Sequence, residues 1–252
     1  ARRALHDIRQ TGFDCVNLDL IYGIPGQTME SLEASLNEAI SFAPDEIFIY
    51  PLYVKPGTLL HRNGVKCSKE ALEMQKMVRE ILKNAGYHPH SMRRFAKKEV
   101  SFSSCGFGNT ISIGCGGRSY VGNLHFCEPY AVGQNACNAV LNDYMEKTEF
   151  LTVSHGVVLT EEEQKRRYVT KHILFGKGIS KAEYELHFQQ DVKEDFSLLT
   201  DWMRQGYAVE QGDFIALTEE GILLSDYLGP QLISEEVARR SAEFYQQMNY
   251  LG

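Results

Sequence analysis

A nearly unbroken apolar run at residues 15–22, followed at once by a Gly-Ile-Pro-Gly loop, constrains the fold more than any other feature. A run of this length between turn residues is typical of a strand buried on both faces of a parallel sheet. A second apolar run covers 46–54, and each run precedes a helical segment, with Thr28 and Ser68 as predicted N-caps. This order predicts a βαβα unit with parallel strands, as in a TIM-like barrel or an open α/β sheet. Two strands cannot close a barrel, so we expect either missing N-terminal strands or an open remnant.

The remainder of the chain divides by composition into two further regions. We predict barrel-type βα units over 1–95, a glycine-rich β and helical segment over 96–155, and a third domain over 156–252. Three helices followed by a hairpin give the third domain the order of a winged helix. Its third predicted helix, 192–204, carries more acidic than basic residues, whereas a recognition helix presents basic side chains to phosphates. We therefore interpret this domain as structural, or as a lid.

The charge balance disfavours some classes of partner. The 252 residues include 26 Lys and Arg against 33 Asp and Glu, which gives a formal net charge of −7. An acidic chain is poorly suited to nonspecific binding of nucleic acid or anionic membranes. No apolar run is long enough to span a bilayer, and because the chain opens on a predicted helix we expect no secretory signal. We expect a cytoplasmic protein, and the missing initiator Met indicates a fragment or a processed chain.

The cysteine spacing excludes a metal site encoded within one short loop. No two cysteines lie closer than ten residues, so the tight loops of zinc ribbons and iron–sulfur sites are absent. The histidines form no H-x-x-x-H pair with an acid, so no metal site is predicted. We expect free thiols. The alternative is that Cys105, Cys115 or Cys127 lies in a pocket and reacts.

Asp19 is the most informative single residue, because a carboxylate inside an apolar strand is costly unless it is paired or reaches the open end of the strand. Ligands of α/β sheets bind at the carboxyl ends of strands, where a carboxylate can hold both ribose hydroxyls. The alternative is a structural Asp bonded to a neighbouring loop. Phe48 and Pro51, on the second strand, could offer an apolar surface to a flat ligand, or simply pack in the core.

Three arginines are candidates for an anionic substrate. Arg93, Arg94 and Arg118 can each bind a carboxylate with two hydrogen bonds, although solvated surface arginines are the ordinary alternative. The stretch 114–119 reads G-x-G-x-x-S, which lacks the third Gly and the downstream acid of a dinucleotide fingerprint. The loop 23–28 precedes a helix whose free N–H groups could meet a polar ligand.

The segment 16–28, VNLDLIYGIPGQT, closely resembles VNIDLIYGLPGQT, which marks the oxygen-independent coproporphyrinogen III oxidase-like branch of the radical SAM enzymes. The resemblance continues through IYPLYVKPGT, the G-x-G-x-x-S stretch and the helical C-terminal region, and thus covers nearly the whole chain. The pattern SMRRF followed by GCGGRSY is similar to a poorly characterised sub-branch.

This resemblance implies the C-terminal part of a partial (β/α)6 barrel. In the family, S-adenosylmethionine (SAM) binds a [4Fe–4S] cluster and is cleaved to a 5′-deoxyadenosyl radical. The resemblance also implies that Asp19 contacts the SAM ribose and that Ile21, Phe48 and Pro51 contact the adenine. The cluster-binding C-x-x-x-C-x-x-C loop and the early strands are absent, so we expect the chain alone to be inactive and to require a missing N-terminal barrel half or an electron-donor protein.

Three hypotheses follow. The first is a portion of a radical SAM oxidoreductase that acts on an anionic substrate such as a propionate-bearing tetrapyrrole. The second is a noncatalytic haem- or porphyrin-binding or partner module of the same fold. The third, a nucleic-acid-binding winged helix, is disfavoured by the acidic balance.

Overall fold

The computed structural model describes residues 2–98, 107–150, 152–153, 155–174 and 177–250, and of 244–250 it describes the backbone only. The helices are α1 (Arg2–Thr11), α2 (Met29–Ser41), α3 (Leu59–Arg62), α4 (Ala71–Asn84), α5 (Gln134–Glu146), α6 (Glu161–Ile173), α7 (Lys181–Phe188), α8 (Val192–Asp195), α9 (Ser197–Arg204), α10 (Glu219–Leu223), α11 (Ser225–Leu228) and α12 (Glu235–Tyr250). The strands are β1 (Asn17–Tyr22), β2 (Glu46–Pro51), β3 (His88–Pro89), β4 (Arg94–Ala96), β5 (Arg118–Val121), β6 (Leu124–Cys127), β7 (Gly156–Val158), β8 (Ile179–Ser180), β9 (Ala208–Gln211) and β10 (Phe214–Leu217).

The chain divides into two compact units, each discontinuous in sequence. The first unit comprises Ala1–Tyr53, Lys66–Ser104 and His172–Gly229, and the second comprises Val54–Val65, Cys105–Lys171 and Pro230–Gly252. The three-domain division at residues 95 and 155 stays a prediction. None of the helices in the described part of the chain is long and apolar enough to cross a membrane.

The predicted βαβα unit forms the start of the first unit. Strands β1 and β2 pair in parallel, and the full sheet has the order β1-β2-β4-β3. Helix α2 begins with a capping box, in which the Thr28 hydroxyl accepts from the Ser31 amide and the Ser31 hydroxyl accepts from the Thr28 amide. Helix α4 begins at Ala71, not directly after Ser68, because the Ser68 hydroxyl accepts from the Glu70 amide and forms a turn before the helix.

One face of this sheet carries the core. Ile47, Ile49 and Phe95 are buried there against Leu36 of α2 and Val78 of α4. The sheet and its two helices therefore form a two-layer arrangement, with apolar side chains between the layers.

The prediction that β1 is buried on both faces is wrong. Its residues alternate between exposed and half-buried positions, and only Tyr22 is fully buried. The physical reason is that β1 is the edge strand of the sheet and packs helices on one face only, so every second residue remains in contact with solvent.

The same unit contains the helices and hairpin near the C-terminus. Strands β9 and β10 form the predicted hairpin, and β8 pairs with β10 on its other side. The single helix predicted over 192–204 is wrong, because it is broken into α8 and α9 at Phe196, whose backbone (φ −130°, ψ 75°) leaves the helical region while its side chain is buried.

The second unit is built around a small antiparallel sheet of order β5-β6-β7. The turn before β5 depends on glycine, because Gly114 and Gly116 have φ values of +100° and +88°. A side chain at Gly117 would lie 2.8 Å from the Ser112 Cβ. The glycine-rich motif is therefore required by a tight turn in this unit.

Candidate functional site

The parallel register of β1 and β2 places three of the predicted nucleoside-binding residues on one face of the first sheet. Asp19 is opposite Phe48, and Ile21 is opposite Tyr50. Because side chains alternate along a strand, Asp19, Ile21 and Phe48 lie on the face opposite to the packed core. We call this the open face.

Asp19 differs from the prediction in its environment. It is the third residue of β1 and is exposed, so it is neither buried nor at the carboxyl end of the strand. The edge position of β1 explains this, since an exposed carboxylate keeps its hydration and needs no buried partner. The Asn17 side-chain amide donates to Asp19 Oδ1 at 2.8 Å and orients the carboxylate.

The apolar residues of the open face differ in exposure. Ile21 is 50% exposed, whereas Phe48 is half-buried and stacks near Tyr50, with the ring centroids 6.2 Å apart. Pro51 is in register with Tyr22, whose side chain belongs to the core face. The structure therefore brings Asp19, Ile21 and Phe48 together and places Pro51 on the other face.

The loop 23–28 retains few free amide donors. The Gly23 amide donates to Gln27 Oε1 at 2.7 Å, and the capping box of α2 occupies the amides of Thr28 and Ser31. The side chains of Gln27, Thr28 and Ser31 thus accept from backbone N–H groups that were predicted to contact a polar ligand. The loop is shaped mainly by its own hydrogen bonds.

Arg94 adjoins the open face and is already paired. Its Nη2 lies 2.7 Å from Glu46 Oε1, both side chains are less than a fifth exposed, and its guanidinium carbon lies 5.5 Å from the centre of the Phe48 ring. Glu46 therefore neutralises the positive charge of Arg94, which is one of the three arginines predicted to bind an anionic substrate. Arg118, at the start of β5, lies in the second unit and is exposed.

Arg93 belongs to a hydrogen-bonded cluster that the sequence does not predict. Its Nη2 donates to the Tyr53 hydroxyl at 2.6 Å and to the Asp226 carboxylate, and the Tyr53 hydroxyl donates to Asp226 as well. Burial and the hydrogen bond to Asp226 raise the pKa of Tyr53 to about 12, so the phenol is protonated at neutral pH. No local signal points to Asp226, because it follows Arg93 by 133 residues.

Among the described residues, two cavities are lined entirely by the second unit. One, of about 1070 Å³, is lined by His125, apolar residues of β7 and the first turns of α6 and α12. The other, of about 450 Å³, is lined in part by Cys127 and His155.

In the larger cavity, His125 is fixed on two sides. Its Nδ1 lies 3.0 Å from the Ser119 carbonyl oxygen, and its ring stacks on Tyr120 with centroids 4.2 Å apart. A carbonyl only accepts, so Nδ1 carries the hydrogen and Nε2 is the nitrogen that can bind a ligand.

The prediction of free thiols is confirmed for the described residues. Cys15, Cys67, Cys115, Cys127 and Cys137 are free thiols, and Cys105 lies outside the described residues. Within the same described ranges, no group of three His, Cys, Asp or Glu side chains is close enough to hold a metal ion.

Comparisons with known proteins agree with this architecture. A family model for the HemN C-terminal domain matches residues 159–224. The heme chaperone HemW of Bacillus subtilis (strain 168) is 26% identical over 229 residues, which covers 86% of this chain and 59% of that protein. The oxygen-independent coproporphyrinogen III oxidase of Pseudomonas aeruginosa is 23% identical over 250 residues, which covers 92% of this chain and 51% of that protein.

A solved structure confirms the predicted fold class. Coproporphyrinogen III oxidase (HemN) from Escherichia coli, a radical SAM enzyme, matches with a TM-score of 0.73 at 20% identity over 91% of this chain and 57% of that chain. The fold is thus α/β, the C-terminal part of a partial barrel followed by a winged-helix-like region. The chain spans about half the length of the relatives it matches. Residues 159–224 thus match the HemN C-terminal domain family, and the chain as a whole is similar to oxygen-independent coproporphyrinogen III oxidases and to heme chaperones of the HemW type.

Proposed function

We propose that this chain is part of a radical SAM oxidoreductase and that the open face of the first sheet binds the nucleoside of SAM. The observation that carries the proposal is the parallel register, which sets Asp19 and Ile21 of β1 beside Phe48 of β2 on a solvent-accessible face. When SAM and a [4Fe–4S] cluster are bound in enzymes of this family, they supply a 5′-deoxyadenosyl radical.

The residues of the open face suit the two halves of a nucleoside. The Asp19 carboxylate can accept hydrogen bonds from both ribose hydroxyls, and Asn17 holds it in place. Ile21 and the half-buried Phe48 ring offer apolar contact to adenine. Pro51 lies on the core face, so we leave it out of the proposed contacts.

We assign the substrate to the class of small anions, such as a tetrapyrrole with propionate groups. Both Arg93 and Arg94 are paired, but Arg93 is the stronger candidate in the first unit, since it and Asp226 are about a third exposed, whereas Arg94 and Glu46 are both less than a fifth exposed. Arg118, in the second unit, stays a separate prediction. We assign no cluster ligand to the described residues.

An electron-donor protein is a further proposed partner, and the free cysteines favour a cytoplasmic location.

The test of the nucleoside site is an Asp19→Ala variant. We expect SAM affinity, measured by isothermal titration calorimetry on the purified chain, to fall by about 1–3 kcal/mol, roughly 5- to 150-fold, because the ribose hydroxyls lose a charged acceptor.

The matched control is Asp14→Ala, which removes another exposed carboxylate that lies before β1. It should leave SAM binding unchanged. Equal affinities of the wild-type chain and Asp19→Ala, or equal losses in both variants, would remove Asp19 from the site.

A second candidate function, haem or porphyrin binding, is favoured by one observation in the second unit. His125 lines the larger cavity with Nε2 as its ligand-binding nitrogen, and histidine is a common axial ligand of haem iron. A main-chain carbonyl on the other ring nitrogen is the usual support for such a ligand. The name of the heme chaperone relatives agrees with this candidate.

We therefore expect His125→Ala to weaken haem binding at least 10-fold and to shift the Soret band of the complex, because the axial ligand is lost. The measurement is an absorbance titration of the purified chain with haemin. His155→Ala is the control, since His155 is exposed in the same unit and lines the smaller cavity. A larger effect of His155→Ala than of His125→Ala would refute the assignment.

A further inference from the structure

The cluster of Tyr53, Arg93 and Asp226 lies at the end of the first sheet where ligands of α/β proteins bind. Tyr53 follows the carboxyl end of β2, and Arg93 immediately precedes β4, which runs antiparallel to β2. The Ile49 amide donates to the Arg93 carbonyl at 2.9 Å, so the backbone of Arg93 is held beside the carboxyl-terminal half of β2, the strand that Tyr53 follows. Carboxyl ends of parallel strands are the usual location of α/β ligand sites.

The donors of the cluster converge on one carboxylate. Arg93 and Tyr53 each donate to Asp226, and Arg93 also donates to the Tyr53 hydroxyl at 2.6 Å. The Arg93 guanidinium carbon lies 5.6 Å from the centre of the Tyr53 ring, which orients the two donors together. A guanidinium and a phenol directed at one carboxylate form an arrangement that also recognises the carboxylate of a ligand.

Water reaches both charged members of the cluster. The side chains of Arg93 and Asp226 are 30% and 37% exposed. Ion pairs with this much solvent contact contribute little to stability, so a competing carboxylate can replace Asp226 at small cost. Asp226 lies on α11, a helix of four residues that is held by the buried Ser225 and Leu228 on either side of it.

We propose that Arg93 and Tyr53 form a carboxylate subsite and that Asp226 occupies it as an internal substitute until the carboxylate of a ligand displaces it. This inference rests on the proposed function in one respect, namely that the ligand is the anionic substrate assigned above. It predicts that Asp226 competes with the ligand, whereas a purely structural ion pair would not.

The test uses the full chain and coproporphyrin III, whose carboxylates probe the subsite and whose own fluorescence reports binding. Asp226→Asn keeps the size of the side chain and removes its charge, so we expect binding to tighten about 5- to 20-fold. Arg93→Gln should weaken binding at least 10-fold, because the cationic donor is lost.

The control is Asp201→Asn, which removes a carboxylate from another helix of the same unit, where it pairs with Arg204 at 2.9 Å. It should leave probe affinity unchanged. The unfolding midpoint of every variant is measured in parallel. A lower midpoint for Asp226→Asn without tighter binding shows a structural pair and overturns the inference, as does absence of probe binding to both wild type and Asp226→Asn.

The outcome is separable from that of the nucleoside site. If Asp226→Asn tightens binding while Asp19→Ala leaves SAM affinity unchanged, the subsite stands and the assignment of Asp19 falls. If Asp19→Ala weakens SAM binding while Asp226→Asn has no effect on the probe, the subsite falls and the nucleoside site stands.

Discussion

Replacement of Gly178 by alanine is expected to lower the free energy of unfolding by about 2–6 kcal/mol, since backbone strain and overpacking each cost about 1–3 kcal/mol. Gly178 precedes β8 and has a φ of +92°, a conformation that L side chains rarely adopt. A Cβ at this position would lie 2.2 Å from the Ile215 carbonyl oxygen and 2.8 Å from the Ala216 Cα. Both neighbours are backbone atoms of β10, so the clash is relieved only if the β8–β10 pairing is disturbed.

Gly206→Ala is the matched control for this prediction. Gly206 has a similar φ of +81°, but a Cβ at this position would have no neighbouring atom within 4 Å. The substitution should cost only the left-handed strain, about 1–2 kcal/mol. Urea denaturation followed by the fluorescence of the single tryptophan, Trp202, which is buried in the same unit, measures both variants. Equal losses would show that the close approach to β10 is unimportant.

Phe95→Ala is expected to destabilise the sheet of the candidate site by about 3–5 kcal/mol. Phe95 is fully buried in β4 and packs in the core between the sheet and α4. Truncation removes its apolar contacts and leaves a cavity that the paired strands cannot close. Because Arg93 and Arg94 precede Phe95 on the same stretch of chain, we also expect weaker binding of coproporphyrin III at the proposed subsite.

Phe13→Ala supplies the control, because Phe13 is 62% exposed in the loop before β1. The same change of residue type should shift the free energy of unfolding by no more than about 0.5 kcal/mol. The two variants are compared by chemical denaturation at equal protein concentration. A loss of less than about 1 kcal/mol for Phe95→Ala would contradict the core assignment.

Local physical chemistry made much of the fold predictable. A helix cap needs only a hydroxyl and an amide three residues apart, and the Thr28 cap was found for that reason. The glycine that ends α1, Gly12, has a φ of +76°, as its position after a helix predicts. The parallel pairing of β1 and β2 followed from two apolar runs joined by one helix.

The environment of each site residue depended on contacts between distant parts of the chain. The apolar run containing Asp19 predicts a buried strand, but strand order made β1 an edge and left Asp19 exposed. The alternation of side chains in the observed register placed Pro51 on the core face, opposite to Phe48. One charged residue within an apolar run does not show which face a sheet will cover.

By itself, the amino-acid sequence determined the order of the main strands and helices, the Thr28 cap and the segment 16–28 that resembles the oxygen-independent coproporphyrinogen III oxidase-like family, because these depend on neighbouring residues. Only the tertiary structure decided which side chains share the open face and which carboxylate holds Arg93. The physical reason is that strand order and the pairing of Arg93 with Asp226 join residues far apart in the chain, and local periodicity carries no information about such contacts.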